Sequence, residues 1–360
     1  MLEAFFRAVN PKLIRQFSKK EGLLGSGMRV HGKTFPQLTG VRVGLLGLGE
    51  NADLIRPHLY GYSHLFRDLE IADLGNLAHD GTEENLISGL RECLLALFEE
   101  GIIPIVIGEN HQYSEALLKG VPFKSIDYSL VSPEIAFHPE SLAWKLKNKK
   151  RLFRASFLGI QNFMNTEASL QLSSEVFSET LRLGEIKQNA AICEPIFRQT
   201  DIIEFDLSSI RFSEFTSSKR PLPSGLNNRE ACAICRYAGI SNSASLYLLN
   251  QFTLGAEKPV DCMQVAQMIW YLLDGIDNRF NDHPQTNNRN FTVYKCHADS
   301  GEDMMFLYNE QSERWWIQIP EKDGSKKKKA PRYIGCSASD YEIAMSGEVP
   351  EIWYKAAYRA

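Results

Sequence analysis

The sequence predicts an α/β protein built on a mostly parallel β-sheet. Short apolar runs rich in Val, Ile and Phe alternate with longer amphipathic stretches, which is typical of strand–helix–strand units. Most of the runs are apolar at successive positions, as expected of strands that helices cover on both faces. In the last third of the chain, short strand-like runs follow one another with turns between them. We therefore expect a small C-terminal β-containing appendage beside the main sheet.

The predicted strands of the main sheet come first along the chain. They are "VRVGLLGL" (41–48), "LEIADLG" (69–75), "IIPIVIG" (102–108), "FKSIDYSL" (123–130), "ASFLGIQ" (155–161), "DIIEFDL" (201–207) and "SLYLLN" (245–250). Helices with recognisable ends lie between them. In "TEENLISGLRECLLALFEEG", Thr82 is a plausible N-cap, Gly101 lies just past the end, and one face carries Leu86, Leu90, Leu94 and Leu97. The stretches "NNREACAICRYAG" and "DCMQVAQMIWYLLDG" have the same character and also end at a glycine.

The C-terminal region predicts further short strands at "NFTVYKC", "DMMFLYN" and "RWWIQIP". We expect one domain over residues 1–360, with a core at about 40–280, an N-terminal helical extension at 1–39 and the appendage at 285–360. The four consecutive lysines at 326–329 favour a solvated loop over an anion-binding patch. The polar segment "CHADSGED" favours a turn between strands over a metal site.

Composition excludes several classes of protein. The 360 residues are 44% hydrophobic, enough for one large core, and the net charge of −4 does not predict binding to nucleic acid. No apolar run reaches the ~18 residues of a membrane span, and the N-terminus lacks the pattern of a secretory signal. The seven scattered cysteines indicate a reducing compartment rather than a disulfide framework. These features predict a cytoplasmic protein without membrane or nucleic-acid partners.

Candidate site residues follow from the predicted sheet, because parallel sheets bind ligands beyond the carboxyl ends of their strands. That rule selects His111, Asp127, Asp206 and Asn250. Taken alone, the histidine is better explained by ordinary hydrogen bonding, and each aspartate by capping a helix or anchoring a loop. Cys232 and Cys235 form a CxxC pair inside a predicted helix, which favours core packing over zinc or redox chemistry.

The order of several motifs resembles the ureohydrolases, the family of arginase, agmatinase and formimidoylglutamase. The motifs are "IADLGN", "VIGENHQ", "KSIDYSL", "IIEFDLSSIR" and "PSGLNNREA", and together they cover roughly residues 40–280. Local similarity to formimidoylglutamase-like members is seen in "RLGEIKQN", "EPIFRQTDIIEFDLSSIR", "CRYAG" and "QMIWYLLDGI". The resemblance implies a three-layer α/β/α arginase-like fold and a homo-oligomer. It also implies two manganese ions, which activate a hydroxide for attack on a guanidino or formimino carbon.

The resemblance places six metal-ligand positions on this sequence and implies that only half are retained. The family's Gly-Gly-Asp-His-Ser pattern falls on residues 108–112, where Asn110 replaces the aspartate. Its Asp-Ala-His-x-Asp pattern falls on 127–131, and its Ser-Phe-Asp-x-Asp-x-x-Asp pattern on 204–211. The retained ligand positions are His111, Asp127 and Asp206, and the degenerate ones are Ser129, Val131 and Ser208. Two further pocket positions depart from the family, namely Arg211 in place of an aspartate and, by a looser alignment, Asn250 in place of a glutamate.

This pattern of losses leads to an expectation about cofactors. Hydroxyl and aliphatic side chains are weak ligands or none for divalent ions. We therefore expect no cofactor, or at most one weakly bound manganese or similar divalent ion. We further hypothesise that Arg211 points inward and pairs with Asp206 or Asp127, so that its guanidinium replaces the missing cation.

Three functions remain open from the sequence. The favoured one is a ureohydrolase-fold pseudoenzyme with a degenerate metal site, which acts in binding, as a scaffold or in regulation and takes a small amidine or amino-acid-like ligand. The alternative is an active hydrolase of a linear amidine C–N bond that uses a single or atypical metal site. In a third, metal-free activity, His111, Asp127 and Asp206 would serve in acid–base roles.

Overall fold

The central feature of the molecule is a twisted sheet of ten strands. The computed structural model describes residues 2–78, 83–109, 113–174, 177–285, 290–319 and 332–359. Within them the strands lie in the spatial order β1-β4-β3-β5-β10-β9-β6-β7-β8, with β2 also paired to β4. Every strand pair in this sheet is parallel except β1 with β4. The strands are β1 (Phe6–Arg7), β2 (Arg29–Val30), β3 (Val43–Gly47), β4 (Ile71–Leu77), β5 (Ile103–Ile107), β6 (Ile126–Val131), β7 (Leu152–Ile160), β8 (Phe177–Arg182), β9 (Ile202–Asp206) and β10 (Leu246–Asn250).

All seven predicted strands of the main sheet are present, and three were not predicted. The edge strand β8 was not predicted, because its sequence, "FSETLR", is polar and does not resemble a buried strand. Strands β1 and β2 are only two residues long. They come from the N-terminal segment that was expected to be a helical extension, so that segment also contributes to the sheet.

Helices cover both faces of the sheet and complete three layers. One face packs against α4 (Glu83–Glu99), α5 (Ser114–Gly120) and α6 (Leu142–Asn148). The opposite face packs against α1 (Pro11–Phe17), α2 (Leu24–Gly27), α3 (Asn51–Tyr60), α8 (Leu183–Gln188), α9 (Cys193–Phe197), α10 (Asn228–Gly239) and α11 (Pro259–Asp277). Helix α7 (Glu167–Ser174) precedes β8. The predicted three-layer α/β/α architecture is confirmed.

The ends of the helices agree with local capping rules. The leucines predicted to face the core from α4 are buried, and Gly101 follows the helix with a φ of +70°, a conformation that costs glycine little. The predicted N-cap Thr82 lies outside the described residues. In α10, Asn227 and Glu230 form a reciprocal capping box that satisfies two backbone N–H groups.

A second sheet follows the main one, as predicted. Its four antiparallel strands are β11 (Phe291–His297), β12 (Asp303–Asn309), β13 (Arg314–Ile319) and β14 (Arg332–Cys336), in that spatial order. Helices α12 (Ala338–Met345) and α13 (Glu351–Arg359) pack on one face of it and bury Trp353. The lysine run at 326–329 lies outside the described residues. We call residues 291–359 the C-terminal lobe.

The order of strands creates a crevice at the carboxyl edge of the main sheet. After β5 the chain crosses to β6, and the gap between these two strands is filled later by β9 and β10. Such changes of direction leave room beyond the strand ends, where α/β proteins bind ligands. The carboxyl ends of β5, β10, β9 and β6 therefore define the place to look for a functional site.

Candidate functional site

Asp206 occupies the centre of this edge, at the last position of β9. Its side chain is 3% exposed and receives hydrogen bonds on both oxygens. Oδ1 accepts from the backbone N–H and the hydroxyl of Ser208, at 2.8 and 2.5 Å, and Oδ2 accepts from the hydroxyl of Ser132 at 3.2 Å. The bonds from Ser208 cap a short 3₁₀ turn over Leu207–Ser209. Asp206 is thus a loop anchor as well as a strand-end carboxylate.

Glu204 lies two residues earlier on the same face of β9, because side chains alternate along a strand. It is 2% exposed. Its Oε2 accepts a hydrogen bond of 2.5 Å from the hydroxyl of Tyr128, and its Oε1 accepts one of 2.5 Å from the amide of Asn250. Burial, followed by the charges of Glu204 and Asp206, raises the pKa of Tyr128 well above its usual value, so this tyrosine is a neutral hydrogen-bond donor.

A small cavity lies beside Glu204 and Asn250. Its volume of about 20 Å³ leaves room for about one water molecule, and most of its walls are apolar. The lining residues include Leu48, Val106, Gly108, Glu204, Leu248 and Asn250. The site therefore combines two buried carboxyl groups with hydroxyl and amide donors.

Asp127 does not lie beside Asp206, and it is not at the carboxyl end of a strand, where the sequence predicted it. Strand β6 begins at Ile126, so Asp127 lies at the amino end of the strand. Asp127 is level with Asp201, the residue that directly precedes β9. Further along the two strands, Tyr128 pairs with Ile202 and Val131 pairs with Phe205. Five residues of strand separate the levels of Asp127 and Asp206, or roughly 16 Å at about 3.3 Å per residue.

The residue that the fold places level with Asp206 is Ser132, which directly follows β6. Pro133 follows it and cannot donate to a ladder, so the strand ends there. That proline was the signal in the sequence that could have located the strand end. Glu204 was also visible, as a charged residue inside an otherwise apolar strand run. The aspartate on which the resemblance places the Asp-Ala-His-x-Asp pattern, Asp127, lies five positions before Ser132.

Two of the predicted degenerate ligand positions also lie elsewhere. Val131 packs in the core beneath the opposite face of the sheet, with Ile203 and Phe205. Ser129 is on that same face and its hydroxyl is 2.8 Å from the hydroxyl of Thr200. Neither residue faces the side of the sheet that Tyr128 and Glu204 share. Ser208, by contrast, contacts Asp206 as described above.

The arginine expected to replace a cation does not do so. Arg211 is 38% exposed and pairs with Glu214 at 2.5 Å rather than with Asp206 or Asp127. It belongs to the turn after β9, three residues before its partner. The arginine that does pair with Asp127 is the buried Arg154, at 3.6 Å, on the neighbouring strand β7.

Of the predicted pocket residues, Asn250 is in place and others cannot be described. Asn250 ends β10 opposite Asp206 and binds Glu204. Asn110 and His111 follow β5 but lie outside the described residues. Glu109, the last described residue before them, faces Gly49 in the turn after β3, on the side away from β9.

Among the residues described beside β9 at this edge, the carboxyl groups are those of Asp206 and Glu204. Two manganese ions need bridging carboxylates and several further oxygen or imidazole ligands. Asp206 already accepts three protein hydrogen bonds, and its neighbours Ser132, Ser208 and Asn250 are neutral. Within the part of the chain that the structure describes, no group of three or more His, Cys, Asp or Glu side chains could hold a metal ion.

The segment "CHADSGED" contributes a polar turn between strands and the CxxC pair packs in the core, as the sequence favoured. His297 and Asp303, of the segment "CHADSGED", form an exposed pair at 2.9 Å between β11 and β12. Cys232 and Cys235 are buried in α10, and burial raises the pKa of the Cys232 thiol to about 12. A neutral buried thiol is a poor nucleophile and a poor metal ligand.

No protein-family model and no curated protein matches this sequence. Among the described residues, no helix has both the length and the apolar character needed to cross a membrane.

Solved structures do match the fold. A Trypanosoma cruzi formiminoglutamase with manganese superposes with a TM-score of 0.61 and 16% identity, over 75% of this chain and 99% of that one. The agmatine ureohydrolase of Thermoplasma volcanium superposes with a TM-score of 0.56 and 16% identity, over 67% of this chain and 91% of that one. The formimidoylglutamase of Bacillus subtilis superposes with a TM-score of 0.56 and 13% identity, over 66% of this chain and 88% of that one. With its parallel sheet between two helical layers, the chain has the arginase-like fold of the ureohydrolases.

Proposed function

We propose that this chain is a ureohydrolase-fold protein that does not use a binuclear manganese site. It acts as a binding or regulatory protein, whose ligand is a small amidine or amino-acid-like molecule. The observation that carries the proposal is the set of partners around Asp206. Both of its carboxyl oxygens are engaged by Ser132 and Ser208, whereas bridging an ion pair would require those oxygens to face the metals.

The chemistry of the flanking residues supports the same proposal. A buried carboxyl group needs donors or a cation, since leaving it unpaired is costly. Here the described donors are two serine hydroxyls, a backbone N–H, a tyrosine hydroxyl and an amide. These groups satisfy Asp206 and Glu204 without a divalent ion. Self-association and a cytoplasmic location, expected from the sequence, stay predictions.

The alternative is an amidine hydrolase that uses one ion. One observation favours it, because Glu204 and Asp206 project from the same face of β9, two residues and roughly 7 Å apart along the strand. Rearrangement of Ser132 would be needed to release an oxygen of Asp206 for a metal. The fold is also one in which solved relatives carry manganese, as in the T. cruzi formiminoglutamase.

A metal and turnover assay separates the two functions. The full chain is loaded with MnCl₂, dialysed and analysed for bound manganese, with the T. cruzi enzyme as positive control. Release of ammonia, formamide or urea is then followed with formiminoglutamate, agmatine and arginine. We expect well under one manganese per chain and no metal-dependent turnover.

Two variants make the assay specific to the site. Asp206→Asn removes the strand-end carboxylate, and Asp127→Asn makes the same change at the other edge of the sheet. Turnover that needs manganese and is abolished by Asp206→Ala or Asp206→Asn, but not by Asp127→Asn, would establish the hydrolase and overturn our proposal. About two manganese ions per chain after dialysis would overturn it as well.

A further inference from the structure

A cavity lies where the main sheet meets the C-terminal lobe, at the β8 end of the sheet and three strands away from β9. Its volume of about 230 Å³ leaves room for several water molecules or for a short aliphatic chain. Strand β8 and helix α9 form one wall, and the first turn of α12 together with α13 forms the other. Small ligands often bind at junctions of this kind. The apolar part of the wall consists of Leu181, Ile192, Pro195, Ile196 and Ile352.

Glu179 of β8 is the buried acid of this cavity. It is 8% exposed, and its described contacts reach one oxygen, Oε2, which lies 3.3 Å from the guanidinium of Arg154 and accepts a bond of 3.4 Å from the hydroxyl of Ser156. Arg154 also pairs with Asp127 at 3.6 Å, so its charge is divided between two acids. Among the described residues, no donor reaches Oε1 of Glu179. A buried carboxylate with an oxygen to spare beside a cavity can accept a hydrogen bond from a ligand.

The charges that line the cavity favour a cation. Three acids, Glu179, Asp340 and Glu351, face one base, Lys355, which leaves an excess of two negative charges. Lys355 pairs with Glu351 at 2.7 Å. Asp340 uses Oδ2 to accept from the N–H and the hydroxyl of Ser337, at 2.7 and 2.6 Å, in the cap of α12. A cationic ligand is therefore attracted to this wall and an anionic one is repelled.

The kind of cation follows from the number of oxygen atoms that are left. A guanidinium binds a carboxylate best through two parallel hydrogen bonds, one to each oxygen. Oε2 of Glu179 is already engaged by Arg154 and Ser156, so this bidentate geometry is not open to a ligand. An ammonium group carries three donors that can address separate acceptors, and the wall offers the hydroxyls of Thr180 and Ser339 in addition to Glu179.

We propose that this cavity binds a primary ammonium group carried on an aliphatic stem. The ammonium donates to Oε1 of Glu179, and the stem packs against Ile196 of the main domain and Ile352 of the lobe. The bound group offsets part of the excess negative charge, and its stem covers apolar surface on both walls. This site is separate from the carboxyl edge of the sheet and does not depend on the function proposed above.

Binding is tested with pentylamine, which is titrated into the full-length protein while the backbone amides are followed by NMR. We expect a Kd on the order of 1 mM, as for a ligand of this size, with shift changes in β8, α9 and α13. Pentan-1-ol has the same stem without the charge, and pentanoate has the opposite charge. We expect each of them to bind at least about tenfold more weakly than pentylamine.

Two variants locate the ammonium group. Glu179→Gln keeps the shape of the side chain but removes its charge, and we expect the affinity for pentylamine to fall about tenfold or more. Glu342→Gln, the same change at an exposed position of α12 outside the cavity, should leave the affinity unchanged. Because Glu179→Gln also removes a partner of Arg154, Ser339→Lys is the second test, at an exposed position of the wall. Its own ammonium should compete with pentylamine and weaken binding to a similar degree, without a change in Tm.

Equal affinities for pentylamine and pentan-1-ol would overturn the proposal, because the stem alone would then be recognised. So would unchanged binding in either folded variant, or shift changes confined to the carboxyl ends of β5, β9 and β10. A blocked lysine, Nα-acetyl-lysine methylamide, distinguishes the two sources of the ammonium group. Tighter binding than that of pentylamine supports the site with a lysine side chain of a protein as its ligand, and weaker binding supports it with a free amine.

Discussion

Glu204 shows how single residues of this protein keep buried acids in place. Its two oxygens each receive a short hydrogen bond, one from Tyr128 and one from Asn250, and it lies inside a strand whose other residues are also buried. A carboxyl group in such surroundings is tolerated only while its partners remain. The donors around Glu204 and Asp206 are therefore part of what allows this edge of the sheet to fold.

Removing one donor should be costly. Tyr128→Phe deletes the hydroxyl that binds Oε2 of Glu204 while leaving the ring to pack. We expect a loss of about 1–3 kcal/mol in the free energy of unfolding, because this oxygen loses a buried partner. Urea denaturation measures the change. Tyr271→Phe, at a tyrosine that is 39% exposed, is the control and should change stability by less than about 0.5 kcal/mol. Equal effects of the two substitutions would contradict this account of Glu204.

Between elements, helices α10 and α11 cross with their backbones close together. A Cβ added at Gly239 would lie 2.3 Å from the carbonyl oxygen of Leu272 and 2.8 Å from the Cα of Gly275. A Cβ at Gly275 would lie 2.4 Å from the carbonyl oxygen of Arg236. Neither glycine needs a left-handed backbone, so what the crossing requires is the absence of a side chain. These two glycines let the helix pair pack backbone to backbone above the sheet.

Filling that crossing should destabilise the fold. Gly239→Ala forces a methyl group against backbone atoms that cannot rotate away, and we expect a loss of about 1–3 kcal/mol by urea denaturation. Gly184→Ala in α8 is the matched control, because its added Cβ meets no atom within 4 Å. There the higher helix propensity of alanine should leave stability unchanged or raise it by up to about 1 kcal/mol. A neutral Gly239→Ala would show that the helices can move apart at little cost.

At the scale of the whole molecule, buried ion pairs join the C-terminal lobe to the main domain. Arg314 of β13 is 6% exposed and contacts Glu194 of α9 at 3.0 Å and Asp282, in the segment after α11, at 3.1 Å. Arg198 binds the same Glu194 and donates to the carbonyl of Trp315. Burial alone would raise the pKa of Glu194, but Arg198 and Arg314 together hold it below the usual value. The lobe is thus anchored to the sheet rather than tethered by a linker.

Breaking this anchor should weaken the whole molecule. Arg314→Met keeps much of the side-chain volume but leaves buried carboxylates short of a cation, and we expect a loss of about 3–5 kcal/mol. Unfolding is followed in urea by circular dichroism and by tryptophan fluorescence, which here reports largely on Trp315, Trp316 and Trp353 of the lobe. Lys355→Met removes an ion pair whose acid, Glu351, is 79% exposed, and should cost under about 1 kcal/mol. An equal, small effect of both variants would mean that the Arg314 pairs add no net stability.

Much of the fold could be predicted, but less of the site. The strand runs and the α4 leucines depend on local periodicity, which a sequence displays directly. Strand β8 was missed because it is polar. The site depended on knowing where β6 ends. A match to one aspartate placed the ligand at Asp127, inside the predicted run 123–130, whereas the strand ends at Val131 and Ser132 is the residue level with Asp206. The predicted pairing of Arg211 with Asp206 or Asp127 was also wrong, because Glu214, an acid in the same turn, is its partner.

The sequence by itself determined the α/β class, the main strands and helices, the separate C-terminal strands and the likeness to the ureohydrolases. These features follow from patterns that span a few residues to one element. Only the tertiary structure decided that Asp127 and Asp206 lie at opposite edges of the sheet, that Ser132 and Ser208 engage Asp206, and that Arg154 rather than Arg211 pairs with Asp127. The reason is physical, because register and side-chain partners depend on which distant strands pair, and shifting a strand by five residues moves a carboxylate from one edge of a sheet to the other.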